Sequence, residues 1–174
     1  MKSRRLREIG DTPLEGSRWK PIRSELGIRA FGINAYVADA GEQLVAEHVE
    51  VGGLAGSQQH EELYVVLSGR ATFSGASREI DAPAGTLVFF DDPAEPRAAR
   101  AEEDETTVLA VGAPVGLPYQ VAPWEYWFRA RRAHEGGDEA GARAIASECI
   151  ERYPETARLF SAITGQANAG GAGA

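Results

Sequence analysis

Short runs of alternating or β-branched residues follow one another through the middle of the chain. Clusters of Gly, Pro, Asp and Ser separate these runs, as at Gly52-Gly53, Ser68-Gly69 and Pro83-Ala84-Gly85. Regularly spaced short strands with such turns are typical of an antiparallel sandwich or barrel rather than of βαβ units. We therefore predict a mainly β fold, with strands over residues 29–37, 43–51, 62–67, 71–73, 86–90, 97–101 and 106–112.

The hydrophobic pattern changes to a helical period after the strand section. Pro123 is well placed in the first turn of a helix, and Gly136-Gly137 provides the signal that ends it. Asp138 can cap a second helix that runs to about Arg152, and a third short helix is expected near Glu155. The C-terminal part of the chain is therefore predicted to be a helical hairpin with a short extension.

Composition divides the chain into four segments. The first 27 residues are polar and contain Pro13 and Pro21, which favours an irregular arm that lies over the main body. The last seven residues are almost wholly Gly and Ala and should fray. The predicted organisation is an N-terminal arm over 1–27, a β-barrel over 28–116, a helical segment over 117–167 and a flexible tail over 168–174.

Charge and cysteine usage exclude several classes of function. The 174 residues include 18 Lys and Arg against 26 Asp and Glu, a net charge of −8, which argues against nucleic acid or an anionic membrane surface as partner. The single cysteine, Cys149, excludes an intramolecular disulfide and a thiolate zinc site, and we expect it to be a small buried hydrophobe. Since no apolar run has membrane-spanning length, we expect a soluble cytoplasmic protein.

Two phrases in the strand section resemble the two motifs of the cupin family. The first is HEELYVVLSGR, from His60 to Arg70, which carries a glutamate before a turn glycine. The second is IDAPAGTLVFF, from Ile80 to Phe90, which contains a Pro-x-Gly turn before a strand. The resemblance covers about residues 28–116. It implies a double-stranded β-helix, or jelly-roll barrel, with a ligand site in its mouth.

The cupin resemblance also implies a metal site, from which this sequence departs. Metal-binding cupins use two histidines, a glutamate and a third histidine, a donor set that suits Fe, Mn, Ni or Zn. The usual His-x-His positions here, residues 56–58, hold no ligand, but His48 and Glu50 have the same spacing earlier in the chain. Because strand side chains alternate, His48 and Glu50 share one face, as do His60 and Glu62. The implied metal ligands are His48, His60 and Glu62, with Glu50 as a further donor.

Arg97 stands where the family's third histidine would be. A guanidinium is always protonated and has no lone pair for a metal, so the implied metal site is incomplete. Arg97 can instead pair with Glu62 or Glu50, or clamp a carboxylate or phosphate on a small ligand. The alternative is a purely structural ion pair between Arg97 and Glu62, with His48 as an ordinary strand histidine.

Aromatic side chains alternate along the predicted strands and favour one apolar face. Tyr64, Phe73, Phe89 and Phe90 are therefore expected in the core. Tyr64 lies two residues from the motif glutamate, so it is also a candidate contact for a bound molecule. The candidate ligand-binding residues are Arg97, Glu62, Glu50 and Tyr64.

The helical segment has a second resemblance, to a single tetratricopeptide repeat over about residues 123–156. The matching residues carry the aromatic, small, turn and terminal proline positions of such a repeat: Tyr126, Ala130, Gly137-Asp138, Ala142, Ile150 and Pro154. Arg129, Ala133 and Ala146 depart from it, each replacing a larger apolar residue. One repeat cannot bury its own apolar face. We therefore expect the hairpin to pack on the barrel or on a second subunit, and a protein partner is the minority interpretation.

These observations favour a protein that binds a small polar or anionic molecule in its barrel, as a sensor or accessory protein rather than a fast catalyst. The first alternative is a cupin enzyme of dioxygenase or isomerase type that uses a divalent metal, Fe, Mn, Zn or Ni. The second is a protein-interaction scaffold that binds through the helical hairpin. Because cupins often pair through sheet edges, we expect a homodimer by analogy.

Overall fold

The structure is a computed structural model that describes residues 1–51, 59–76 and 78–165. The chain forms two units, Met1–Gln120 and Val121–Ala174. Within the described ranges, the first unit contains all the strands and the second contains the longer helices, which confirms the mainly β class with C-terminal helices. Among the described residues, no helix has the length and apolar character needed to cross a bilayer.

Two antiparallel sheets make up the first unit. The six-stranded sheet has the order β1-β2-β3-β10-β5-β8, and the four-stranded sheet has the order β4-β9-β6-β7. The strands are β1 Thr12–Pro13, β2 Arg18–Lys20, β3 Gly32–Ala38, β4 Gln43–His48, β5 His60–Ser68, β6 Arg70–Ser74, β7 Glu79–Pro83, β8 Leu87–Phe90, β9 Arg97–Ala101 and β10 Thr106–Pro114.

The inner faces of the two sheets enclose the main core. Tyr64, Phe73 and Phe90 are at most 5 % exposed, and the Tyr64 ring contacts those of Phe73 and Phe90, with centroids 5.2 and 6.0 Å apart. Phe89 was expected beside them, and that expectation is wrong because its side chain is 53 % exposed. Successive side chains of a strand point to opposite faces, so Phe90 turns inward on β8 and Phe89 turns outward. The core lies between the sheets, and the outer face of β8 carries exposed apolar residues.

The N-terminal segment contains regular structure that its polar composition did not predict. Strand β2 pairs with β3, which adds β1 and β2 to the larger sheet. A 3₁₀ helix at Leu6–Glu8 and helix α1 at Ile22–Leu26 accompany these strands. On the outer sheet face, Ile9 and Ile22 pack with Ala35 in a small buried cluster. Strand β7 was also missed, since the sequence Glu-Ile-Asp-Ala-Pro lacks a run of β-branched residues.

Two turn glycines adopt the left-handed conformation, as a tight connection between strands requires. Gly69 joins β5 to β6 with φ +71°, and Gly85 precedes β8 with φ +90°. At Gly69 a Cβ atom would also collide with Thr106, whereas at Gly85 it would meet open space. Gly69 is therefore constrained by both conformation and packing, and Gly85 by conformation alone.

The second unit is a helical hairpin with a short extension. It consists of α2 Pro123–Glu135, α3 Glu139–Arg152, a 3₁₀ helix Pro154–Phe160 and α4 Ser161–Thr164. Asp138 caps α3 as expected, its carboxylate accepting from the backbone N–H of Gly141 at 2.9 Å. Cys149 is fully buried, and it packs with small residues that let the helices approach closely: Ala130, Ala142 and Ala146. The tetratricopeptide resemblance of this hairpin stays a prediction.

Candidate functional site

Side chains from both sheets meet inside the first unit. His48 is the last residue of β4, where it pairs with Arg97, the first residue of β9. Glu50 follows β4 after a single residue. Glu62 projects from β5 of the larger sheet, in the same alternating series as the buried Tyr64. The sequence therefore brings a histidine, an arginine and two carboxylates together from three strands and one adjoining loop.

His48 lies between the two carboxylates. Its Nε2 atom is 3.4 Å from Oε1 of Glu50 and 3.5 Å from Oε2 of Glu62. The Nδ1 atom of His48 lies 2.8 Å from the carbonyl oxygen of Ala46, a contact that orients the ring so that Nε2 faces the carboxylates. One ligand atom from each of His48, Glu50 and Glu62 lies within 4.8 Å of the others. We call these three residues the HEE cluster.

His60 adjoins the HEE cluster without joining it. Its Nδ1 atom is 3.4 Å from Oε2 of Glu50, and its side chain is 11 % exposed. The His60 ring lies against Tyr119, with centroids 5.5 Å apart and planes tilted by 31°. Tyr119 also sits over Gly32, where a Cβ atom would be only 3.2 Å from the tyrosine ring. His60 thus contacts one carboxylate on one side and an aromatic wall on the other.

Arg97 is held in place by backbone carbonyls. The residue is 1 % exposed, and its Nη2 atom donates to the carbonyl oxygens of Asp92 at 2.8 Å and Glu95 at 3.2 Å. Its Nη1 atom is 3.6 Å from Oε2 of Glu62 and makes no hydrogen bond within the described part of the chain. The guanidinium carbon lies 4.8 Å from the centre of the Phe90 ring. Arg97 therefore presents a fixed buried charge to Glu62.

One oxygen of Glu62 receives three contacts. The Tyr64 hydroxyl donates to Oε2 of Glu62 at 2.6 Å, and the same oxygen faces His48 and Arg97. A carboxylate with only 13 % of its side chain exposed needs such partners, because burying an unpaired charge is costly. The contacts with His48, Tyr64 and Arg97 together hold Glu62 as an anion.

The pKa values in the site follow from these contacts. Burial alone would lower the pKa of His48, but hydrogen bonds to Glu50 and Glu62 outweigh it and raise the pKa from 6.5 to about 10. Burial alone would raise the pKa of Glu62, but His48, Tyr64 and Arg97 lower it below its ordinary value. At neutral pH the site therefore contains a histidine cation beside carboxylate anions.

Tyr64 and His60 are neutral in the same environment. Burial and then the charge of Glu62 raise the pKa of Tyr64, so its hydroxyl stays protonated and donates. Burial, with a smaller contribution from the positive charge of Arg97, lowers the pKa of His60 despite the nearby carboxylates. The site thus offers a neutral imidazole at its edge and a charged one at its centre.

The HEE cluster fits a small divalent cation in part. Ligand atoms about 2.1 Å from a tetrahedral metal lie roughly 3.4 Å apart, close to the separations of Nε2 of His48 from the two carboxylates. Imidazole and carboxylate donors suit Fe, Mn, Ni or Zn. Two features oppose the ion: His48 must lose a proton, and Arg97 already occupies one side of Glu62. The donor geometry is favourable and the surrounding charge is not.

Comparison with known proteins gives matches only among solved structures. No family model and no curated protein matches the sequence. A predicted oxalate decarboxylase from Thermotoga maritima superimposes with a TM-score of 0.51 at 16 % identity, over 64 % of this chain and 97 % of that one. KdgF from Halomonas sp. gives 0.51 at 15 %, over 62 % and 90 %. An RmlC-like cupin protein from Desulfovibrio desulfuricans gives 0.41 at 26 %, over 49 % and 74 %. The chain has a cupin fold.

The cupin barrel brings the predicted site residues close to one another. His48, Glu50 and Glu62 form the HEE cluster, and the predicted pairing of Arg97 with Glu62 is present. Tyr64 belongs to both the core and the site, since its ring is buried and its hydroxyl reaches Glu62. Whether these residues bind a metal or an organic ligand stays a prediction.

Sequence reasoning missed one residue at the edge of the site. Tyr119 follows the last strand, in a segment without strand or helix pattern, so nothing in its local sequence indicates that it packs beside His60. The signal that was present is Gly32 at the start of β3, because a glycine in a strand often marks a close approach by another group.

Proposed function

We propose that this cupin domain binds a small polar or anionic molecule in its barrel, in a sensor or accessory role, and that it holds metal only weakly. The observation that carries the proposal is the position of Arg97, which is buried and 3.6 Å from Oε2 of Glu62. The charges of His48 and Arg97 balance those of Glu50 and Glu62. A site that is already neutral without an ion gains little from a divalent cation.

The charge of Arg97 opposes metal at the HEE cluster directly. Two unit charges 4 Å apart interact by about 1 kcal/mol in water and about 4 kcal/mol at an effective dielectric constant near 20. Repulsion of that size lowers metal affinity by roughly one to three decades. The proton on His48 adds to this effect, because a metal must displace it. The same two cations attract a carboxylate or a hydroxyl oxygen of an organic ligand.

The alternative is a metal-dependent cupin enzyme, and one observation favours it. His48, Glu50 and Glu62 place three ligand atoms within 4.8 Å of one another, and His60 lies 3.4 Å from Glu50. These residues would hold a divalent ion, which would act as a Lewis acid on a bound substrate oxygen. His60, neutral and beside Tyr119, would then be a candidate base next to the bound ion.

Elemental analysis and a ligand titration test the proposal together. Protein purified without a chelator or a histidine tag should contain far less than one equivalent of Fe, Mn, Zn or Ni. Titration with malate and with ribose, two small polar probes, should shift amide NMR signals of β4, β5 and β9 in the wild type. The same titration of His48→Gln, which removes one of the two cations, should give weaker shifts with malate. One equivalent of metal, or no shift with either probe, contradicts the proposal.

A further inference from the structure

A buried amide on β3 has no partner for its oxygen. Asn34 is 7 % exposed, and its Oδ1 atom makes no hydrogen bond within the described ranges of the chain. Its side chain lies on the inner face of the sheet, because it alternates in step with Tyr36 and Ala38, which pack in the barrel core. Most buried polar atoms in folded proteins have a partner, so an orphaned acceptor inside a barrel requires an explanation.

The strand between Asn34 and the HEE cluster, β10, has only small residues on its inner face at this level. Strand β10 separates β3 from β5, and its residues Ala110 and Gly112 pair with Tyr64 and Glu62. Ala110 also pairs with Asn34 on the other side. A Cβ atom at Gly112 would lie 3.6 Å from Cγ of Glu62, so a larger residue there would crowd the carboxylate. Between the Asn34 amide and the Glu62 carboxylate, β10 therefore presents only the methyl group of Ala110 and the backbone of Gly112. We call this stretch of β10 the floor of the site.

The span of this floor suits a small molecule. Neighbouring strands lie about 4.8 Å apart, and residues advance about 3.4 Å along a strand. Two strand spacings and two residues put the Cα atoms of Asn34 and Glu62 roughly 12 Å apart. A Cα separation of that order is compatible with a molecule of about four to six heavy atoms in its chain between the two side chains.

We propose that Asn34 is a specificity-determining residue of the barrel site, whose Oδ1 atom accepts a hydrogen bond from a hydroxyl group of the bound molecule. The ligand class is then a small hydroxylated compound, with a second polar group directed at Glu62 and Arg97. This inference rests on the proposed function, because it assumes that the barrel binds an organic ligand. An analogue that lacks the hydroxyl leaves the buried acceptor unpaired and should bind roughly 5- to 100-fold more weakly.

Two pairs of probes that differ by one hydroxyl test the binding role. Malate is compared with succinate, and ribose with 2-deoxyribose, by NMR titration of the full chain. The wild type should prefer the hydroxylated member of at least one pair. Asn34→Leu should abolish that preference, while the member of the pair that lacks the hydroxyl binds as it does to the wild type. Binding without preference, or a preference that survives in Asn34→Leu, overturns the inference and leaves the proposed function standing. Failure of all four probes to bind overturns both.

Thermal unfolding distinguishes this role from a structural one. Asn34→Leu has nearly the same volume and removes the orphaned acceptor, so the free protein should melt roughly 2 to 8 °C higher. The matched control is Thr12→Val on β1, which removes another buried oxygen without a hydrogen bond in the described structure. It should also raise the melting temperature and leave the hydroxyl preference unchanged. A lower melting temperature for Asn34→Leu shows that the amide is structural and overturns the inference.

Discussion

Replacing Arg97 by methionine tests the ion-pair network most severely. Methionine replaces the aliphatic part of the arginine side chain, but it removes the only guanidinium within reach of Glu62 among the described residues. The carbonyls of Asp92 and Glu95 lose their donor at the same time, and the Phe90 ring loses a cation 4.8 Å from its centre. The Arg97→Met chain therefore keeps a buried carboxylate that is compensated only by His48 and Tyr64.

The expected loss of stability is large. Breaking a buried ion pair by removing one partner costs about 3 to 5 kcal/mol, since the remaining charge stays buried. Arg97 is 1 % exposed and Glu62 has 13 % of its side chain exposed, so solvent screening reduces this only slightly. In a chain of this size such a loss corresponds to a fall of roughly 6 to 20 °C in melting temperature. Equilibrium urea unfolding gives the free energy directly, from the midpoint at constant slope.

A matched control lies on the same strand. Arg100 of β9 pairs with Glu102 at 2.9 Å, but its side chain is 60 % exposed. Exposed pairs contribute about 0 to 1 kcal/mol, so Arg100→Met should unfold almost as the wild type does. Adding Glu62→Gln to Arg97→Met should recover part of the lost stability, because it removes the uncompensated charge. A loss below about 1 kcal/mol for Arg97→Met would show that Arg97 does not compensate Glu62.

Two further changes follow from the same structure. Gly69→Ala should lower the free energy of unfolding in urea more than Gly85→Ala does. Both changes replace a glycine at positive φ, but only at residue 69 would the new Cβ atom also collide with Thr106. Equal losses would contradict that packing. The pKa of His48 is raised from 6.5 to about 10 on folding, so its stabilising effect is complete below about pH 6.5 and disappears as the pH rises towards 10. The free energy of unfolding should fall across that range in the wild type and stay flatter in His48→Gln, and an NMR titration of the His48 ring with a midpoint near 6.5 would refute the assignment.

Much of the fold could be predicted because strand alternation and turn residues are local signals. Most strand positions along the chain and the turns at Gly69 and Gly85 follow from runs of apolar residues and glycines that are visible in the sequence, whereas the order of the strands within each sheet was not predicted. Strand β7 was missed because it is short, polar and ends in a proline. Phe89 was misplaced because an apolar residue on the outer face of an edge strand looks the same in sequence as one on the inner face.

Only those residues of the candidate site that belong to a recognisable motif could be predicted from the sequence. His48 and Glu62 were linked through a family resemblance, although the glycine-containing segment 51–59 separates them in the chain. The role of Asn34 has no local signature, since a single asparagine in a strand says nothing about whether its amide will find a partner. Partners across a sheet depend on register, and register is a property of the assembled barrel.

The central claim is that Arg97 keeps the barrel poor in metal, and calorimetric titration with Zn²⁺ or Mn²⁺ tests it most directly. Three proteins are compared: the wild type, Arg97→His and Glu62→Gln. The account predicts weak binding to the wild type, tighter binding by roughly one to three decades in Arg97→His, where the repulsive charge gives way to a nitrogen ligand, and weaker binding in Glu62→Gln. Tight stoichiometric binding to the wild type that Arg97→His leaves unchanged would contradict the account and favour the metal-dependent enzyme.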